Sequence, residues 1–586
     1  MAGPISKIRE LVSQAVVRAF GAEHAGADPA VKRSQFADYQ ADVALRLSKP
    51  LKQPPLEIAR KVADQIEQGD LFESVTVSPP GFVNFKLSRA FLERELARLA
   101  ADPRVGVATA SKPETVVIDY SAVNVAKEMH VGHLRSTVIG DALGRTLAFL
   151  GHQTILQNHI GDWGTPFGML IEHLEDIGAD AAAKELSVGS LNEFYQAARQ
   201  KFDADSSFAD RSRQRVVSLQ AGDPRTLALW QVLVDSSHRY FSTIYRRLAV
   251  QLTDEHARGE SFYNPYLPEI AADLEQRGIA KIDDGALCVF LPEFKNREGE
   301  PLPLIVRKKD GGFGYAATDL AAIRFRAREL GATRILYVVG TPQQQHLGMV
   351  FATAKLAGYL PATARAEHVN FGSVLGPDKK MFKTREGKSI RLAELLDEAI
   401  ARAEKAVRER AERDKDDPLP EEVIRQVAEQ VGIGSLKYAD LSSDRIKDYI
   451  FDFDRMIAFE GNTGGYLQYA HARIRSMERK ADKQGVGLGP ELAPIQVIEP
   501  AERALALELF ELEPATFAVA DSLAPHKLCN QLYALATSFT SFYEACPVLK
   551  AENPESRASR LALSATTRRA LALGLELLGI AAPDRM

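Results

Sequence analysis

The sequence predicts a multidomain α/β protein: a doubly wound, Rossmann-like parallel-sheet core with an insertion, an amino-terminal α+β module and a carboxyl-terminal all-helical domain. Three observations predict it. At 586 residues the chain is longer than one hydrophobic core serves, so two to four domains are expected. Between about 111 and 375, short β-branched runs alternate with helical periodicity, as in a parallel sheet built from crossovers. Beyond about Phe459 the apolar positions recur at helical spacing, as at Leu561, Leu571, Leu575 and Leu578.

Taken in order, Ile8, Leu11, Val12, Ala15, Val16 and Ala19 form one helical face, and Ala59 to Gln68 a second helix. Val75 and Val77, then Val83, Phe85 and Leu87, flank the turn Pro79-Pro80-Gly81 as a half-buried hairpin. A third helix, Phe91 to Leu99, closes a module over residues 1–110. The core is expected over 111–455. Val116 to Ile118 is its first strand, followed by a loop and then a helix from His130 that Gly151 stops. Thr154 to Leu156 is the second strand. Residues 166–300 read as an insertion with long helices, notably Leu227 to Leu248. The sheet resumes with Leu304 to Val306, Ile335 to Val339 and His368 to Phe371, separated by helices at Asp319 to Leu330 and His346 to Leu356. The charged helix Leu392 to Ala411 opens a helical stretch over 391–455, a joint falls at Asp414 to Pro420, and the helical domain takes 456–586.

Composition narrows the function classes. With 45% hydrophobic and 26% charged residues, and no apolar run near the ~18 that a span needs, the chain reads as soluble with no membrane partner. Met1 to Phe20 is amphipathic with charges inside it, unlike a signal peptide, so a cytoplasmic location is expected. Cys288, Cys529 and Cys546 are too few and too scattered for a disulfide framework or a cysteine zinc site, and no structural metal is expected. A net charge of −5 excludes an overall basic field, so any RNA contact must be local. Arg473, Arg475, Arg479, Lys480 and Lys483 make one basic stretch, which reads either as an RNA contact or as a solvated helix face.

Two stretches carry chemistry. His130-Val131-Gly132-His133 sits where a strand's loop enters a helix. Unpaired N–H groups and the dipole there suit an anion, Gly132 would admit it to the backbone, and the imidazoles can donate to phosphate oxygens. A packing role is the alternative. Leu375 to Ser389 crowds four lysines and an arginine into a Gly-bounded loop after the last strand. Lysines there can close over a triphosphate and stabilise charge as pyrophosphate leaves. Together the two make a divided ATP site.

These stretches resemble the signatures of the class I aminoacyl-tRNA synthetases, in their arginyl form. His130 to His133 is similar to "HIGH", in the context Asp119, Asn124, Lys127, Glu128, Met129 and Arg135-Ser136-Thr137. Asn158 to Gly164, Glu260 to Tyr263, Tyr315 to Asp319, Asp440-Leu441, Phe459 to Thr463, Gln468-Tyr469 and the final Leu577 to Met586 agree as well. Lys380 to Thr384 resembles "KMSKS", while the frame Met381 to Arg385 resembles relatives that lack the second lysine, whose place Lys127 would take. Val123 replaces a common proline, which would loosen the loop, and Pro166 a common glutamine.

The resemblance implies an arginine-tRNA ligase that uses ATP with Mg2+ and charges tRNA(Arg), usually as a monomer. It implies His130, Gly132, His133, Lys127, Lys380 and Lys383 in catalysis, and His130, His133, His159, Gly161, His346 and Lys383 around ATP. Asp119, Asn124, Tyr315, Asp319 and Gln343 would line the arginine pocket. A guanidinium is best held by carboxylates in fork geometry, which suits Asp119 and Asp319, although Asp319 could equally cap the helix after it. The amino-terminal module resembles one that contacts the outer corner of tRNA. Tyr469, Arg473, Tyr543 and Met586 would enclose the anticodon; the first two share a helix face, and packing in the bundle is the alternative for Tyr469. Two other readings compete: a catalytically silent relative that binds tRNA, and a different adenylating ligase on the same sheet.

Overall fold

The computed structural model describes the chain apart from residues 1–2, 179–190, 297, 383–389, 413–417 and 490–492. The amino-terminal module is a four-stranded antiparallel sheet, β1 Val31–Arg33, β2 Tyr39–Ala41, β3 Phe72–Ser78 and β4 Phe82–Leu87, in the order β1-β2-β4-β3. Helices α1 Pro4–Phe20, α2 Val43–Leu51, α3 Pro55–Asp64 and α4 Arg89–Ala101 accompany it. The expected hairpin is β3–β4. The second helix starts earlier than its periodicity suggests, because Pro55 stands at its first turn, where a missing N–H costs nothing. The three-residue strands β1 and β2 are too short to show alternation.

The core sheet has five parallel strands in the order β12-β11-β5-β6-β7: β5 Thr115–Asp119, β6 Gln153–Ile160, β7 Ala257–Gly259, β11 Arg334–Tyr337 and β12 Arg365–His368. Val116, Val117 and Ile118 are wholly buried because β5 is the central strand, covered on both faces. Chain order runs outward to β6 and β7 on one side and to β11 and β12 on the other. The switch point therefore opens at the carboxyl end of β5, where such sheets bind ligands.

Three expectations change here. The insertion ends sooner than residue 300, since β7 pairs with β6 as the sheet's edge. Leu304 to Val306 belongs to a separate antiparallel sheet, β8 Ala280–Asp283, β9 Ala286–Lys295 and β10 Pro301–Arg307. The strand expected over His368 to Phe371 lies upstream as β12, and the stretch after it is a loop. Helix α5 Val131–Phe149 and helix α6 Pro166–Ile177 follow β5 and β6, and Pro166 occupies a first-turn position that suits proline. Pairing of β13 Val374–Leu375 with β14 Tyr449–Ile450 interrupts the otherwise helical carboxyl part. The helix Leu392–Ala411 lies as expected, the helix Glu421–Leu441 packs beside it, and among the described residues five further helices span Gly464–Leu577. All three cysteines are buried and free. Among the described residues no helix is long and apolar enough to cross a membrane.

Candidate active site and helical-domain cavity

The His-x-Gly-His turn is built differently from a free helix terminus. His130 N–H donates to His133 Nδ1 at 3.0 Å, Gly132 N–H to His130 Nδ1 at 3.0 Å, Val131 N–H to Ile390 O and His133 N–H to His130 O. The first four backbone donors are therefore consumed internally, which corrects the expectation that an anion meets the backbone here. Gly132 is needed for another reason: a Cβ would sit 2.8 Å from His130 Cε1, so glycine lets the ring fold back over the turn. Each Nδ1 accepts, so each proton resides on Nε2, and the rings, 4.0 Å apart, present Nε2–H donors instead. Burial, with the neighbouring His130, pushes His133 down to about 3, and burial also lowers His130. Both donate as neutral imidazoles at pH 7.

These rings share a cavity of about 190 Å³ with Val123, Asn124, Lys127, Glu128, Met129, Asn192 and Arg391. Val123 does not loosen its loop: Val123 O accepts from Gly161 N–H, Val125 N–H donates to Gly161 O, and Ala122 and Ala126 N–H donate to Asn158 Oδ1 and Ser237 Oγ. Gly161 makes room for Asn124, whose Oδ1 a Cβ would meet at 2.1 Å. Arg391, which sequence reasoning missed, pairs with Glu128 at 2.9 Å and bridges the backbone of His130. Its signal was the basic character continuing past Lys388. Lys127 Nζ lies over the Tyr195 ring.

A second group, beyond β6 and β7 and on the helix Tyr315–Arg328, is acidic. Asp162, Glu260 and Asp319 interact there; burial, then Asp162 and Asp319, push Glu260 up to about 8. Asp162, itself raised by burial, accepts from Ser261 N–H and Oγ–H. Asp319 is not a helix cap, because its helix, Tyr315–Arg328, starts four residues earlier with Gly314 at the cap. Its carboxylate instead meets His346 Nε2 at 2.6 Å, and this bond raises the imidazole's pKa. His346, expected beside ATP, thus lies with the acidic group. Asp119 is buried in an ion pair with Arg326 at 2.9 Å and accepts from His159 N–H, so its charge already has an internal partner. The His159 ring stacks on Tyr263 at 5.6 Å, with its buried Nδ1 unpartnered among the described residues. Tyr315 and Gln343 are exposed. Glu260 and Asp162 entered the sequence reading only as parts of matching stretches.

The lysine loop rises from β13. Leu375 bridges Met381, Gly376 N–H donates to Lys380 O, and the Phe382 ring stacks on Phe451 at 4.6 Å. Lys380 is exposed, and Lys383 lies outside the described residues.

A second cavity, of about 620 Å³, is lined by Tyr469, Arg473, Tyr543, Met586 and Arg410 among others. The Arg473 guanidinium lies 4.2 Å from the Tyr543 ring centre and that of Arg410 3.7 Å from that of Tyr469. Arg410 thus covers one face of Tyr469, a contact from a helix distant in sequence. Met586 reaches the cavity because the tail is strapped to the helix Gly464–Lys483: Gln468 donates to Ala581 O, His471 meets Pro583 O, and Arg475 pairs with Asp584. Part of the basic stretch therefore holds the chain's own tail.

Comparison with known proteins adds the family. The profile "tRNA synthetases class I (R), catalytic domain" matches residues 96–453, "DALR anticodon binding domain" residues 467–586, and "Arginyl tRNA synthetase N terminal domain" residues 6–87. The chain is 52% identical over 586 residues to the arginine–tRNA ligase of Thermobifida fusca, with all of both chains covered. It is 46% identical to that of Nostoc punctiforme, with 99% of each covered. The arginyl-tRNA synthetase structure from Plasmodium falciparum superimposes with a TM-score of 0.84 at 29% identity, with 100% of both chains covered. That from Thermus thermophilus gives 0.81 at 26%, covering 99% of this chain and 100% of that one.

Proposed function

The chain belongs to the arginyl-tRNA synthetases of class I, and from that premise we propose that the two ends of its crevice divide the work of activating arginine. The activity is arginine–tRNA ligation: arginine and ATP give arginyl adenylate and pyrophosphate, and the arginyl group passes to the terminal ribose of tRNA(Arg), releasing AMP. The observation that carries the division is the separate clustering of charge: Nε2–H donors and Lys127 line the cavity at the start of α5, where Arg391 pairs with Glu128, while Asp162, Glu260 and Asp319 interact beyond β6 and β7 and on the helix Tyr315–Arg328.

The guanidinium enters the acidic end, where Asp319 and Glu260 accept its hydrogen bonds and Tyr315 and Gln343 close around the stem. Arginine displaces His346 from Asp319 as it binds. Asn124 faces the backbone end of the amino acid, while Asp119 stays paired with Arg326 and fixes β5 against β6. The arginine carboxylate oxygen attacks the α-phosphorus in line, the bond to the leaving oxygen breaks, and pyrophosphate departs with the electron pair. His130 and His133 donate to the phosphate oxygens as charge develops, and Lys127, with Lys380 and Lys383, neutralises the leaving group. Mg2+ enters with ATP as part of the substrate, and His159 and Gly161 line the nucleotide's side.

Residues 1–110 contact tRNA, 111–455 carry the chemistry, and Tyr469, Arg473, Tyr543 and Met586 receive the anticodon. The enzyme works as a cytoplasmic monomer. Charging total tRNA with each of the twenty amino acids tests the assignment, with arginine alone expected to react; comparing His133→Ala and Asp319→Asn in pyrophosphate exchange tests the division. The first should lower turnover, the second raise the Michaelis constant for arginine. The same defect in both variants would refute the division.

A further inference from the structure

Arg135 lies two residues beyond His133 on α5 and is 1% exposed. Its Nε faces the Asp440 carboxylate at 3.2 Å, within the helix Glu421–Leu441. Its Nη1 donates to Gly372 O at 2.7 Å and to Lys447 O at 3.1 Å. These two carbonyls precede β13 and β14 respectively. The Phe371 and Tyr449 rings flank the guanidinium, 5.7 and 5.1 Å away. One buried side chain thus touches α5, the stem of the lysine loop, and the strand that pairs with that stem.

Stability alone does not call for this arrangement. A buried ion pair is often no better than well-packed apolar residues of the same volume. What an apolar side chain cannot do is fix three backbone segments at set distances, whereas a planar fork of donors can. The stem has further ties to the same strand: Gly372 N–H donates to Arg445 O, Tyr449 N–H to Ser373 O and Phe451 N–H to Leu375 O. Lys380 then follows β13 by five residues. Gly372 is also where the two segments come closest, since a Cβ there would stand 2.7 Å from Lys447 C and O.

We propose that Arg135 is a positioning residue for adenylate formation: its guanidinium sets the separation between the histidine turn and the described stem of the lysine loop that carries Lys380, so that both halves of the phosphate site meet the same transition state. This rests on the reading of His130, His133 and the lysine loop as that site. Misplacement by about 1 Å can cost ~10²-fold in rate without weakening ground-state binding. Arg135→Lys keeps the charge and most of the volume but loses the fork. Gly372→Ala leaves Arg135 intact and pries β13 from β14.

Both variants, with His133→Ala beside them, are assayed by arginine-dependent pyrophosphate exchange with cognate tRNA present, together with thermal melting. The expected result is a turnover loss of ~10²-fold in Arg135→Lys and a comparable loss in Gly372→Ala, with the Michaelis constant for arginine within about twofold and the melting temperature preserved. The double variant should be no slower than the slower single one, because both act through one spacing. Should Arg135→Lys fail to fold, Gly372→Ala carries the same expectation. Normal turnover in a folded Arg135→Lys, losses that multiply in the double variant, or turnover that falls only in step with melting temperature would each overturn the proposal. His133→Ala separates the two readings. If it alone slows exchange, the phosphate site stands and the positioning role falls; if it too exchanges normally, the phosphate site itself is misassigned.

Discussion

Arginine binding should release a proton, and Glu260 should supply it. With its pKa pushed up to about 8 by burial and by Asp162 and Asp319, Glu260 in the arginine-free enzyme is about nine-tenths protonated at pH 7. A guanidinium cannot give up its own proton, so it pairs with this carboxyl only after the carboxyl ionises. Titration calorimetry at pH 7 in phosphate and in Tris should therefore give binding enthalpies that differ by about 0.9 times the difference in buffer ionisation heats. Affinity should rise about tenfold per pH unit below 8 and level off above it. Glu260→Gln should remove the Glu260 share of the release and the slope, leaving only what His346 loses as arginine displaces it from Asp319, while binding more weakly by about 2–5 kcal/mol for the lost charge partner. Asp319→Asn should shrink the release, because it removes one of the charges that raise Glu260. Equal enthalpies in the two buffers, or a release undiminished in Glu260→Gln, would refute the acidic end as the guanidinium site.

Further outcomes are expected at the histidine turn, in the helical domain and in the requirement for tRNA. His133→Ala should slow adenylate formation by ~10²- to 10³-fold, as deleting a donor to developing charge does. Since the folded-state pKa of His133 is depressed from 6.5 to about 3, its contribution to stability is whole above pH 6.5 and declines as pH falls toward 3, by about 2 kcal/mol at pH 5; denaturant melts should show the slope in the parent and not in His133→Ala. Tyr469→Ala should raise the Michaelis constant for tRNA by about 5- to 150-fold with tRNA-saturated turnover little changed, the worth of one stacked base. Arg410→Ala should lower that constant by baring the tyrosine face; a rise equal to that of Tyr469→Ala would make the guanidinium part of the stack. By its resemblance to the arginyl enzymes, arginine-dependent pyrophosphate exchange should appear only when cognate tRNA is added, and full exchange without RNA would contradict this.

What was legible in the sequence had a local cause. The strand at β5, helix α5 and the helix Leu392–Ala411 follow from β-branched runs and apolar periodicity, and Tyr469 and Arg473 share a cavity because four residues make one helical turn. Three-residue strands such as β7 carry no period, so the edge of the sheet could not be seen. Partners distant in sequence were equally hidden. Asp119 and Arg326 stand 207 residues apart, and nothing near Asp119 signals that its charge is already matched. The histidines were found as donors but not as caps, because the backbone donors they satisfy are a property of the folded turn.

The polarity of the crevice ties these pieces together. The reaction must bring a cationic side chain and an anionic triphosphate into one site, and a site of uniform charge would favour one substrate while repelling the other. Here the carboxylates gather beyond β6 and β7 and on the helix Tyr315–Arg328, whereas the imidazole donors, Lys127 and Arg391 stand at the start of α5 and beside it. An arginine held by its guanidinium at the first group must point its own carboxylate toward the second, so the distribution of charge orients the nucleophile. Asp119 lies at the carboxyl end of β5, and on the proposed reading an unpaired carboxylate there would repel an incoming arginine carboxylate and α-phosphate alike. Its burial against Arg326 would remove that repulsion, so on the proposed reading the pairing serves the chemistry as well as the fold.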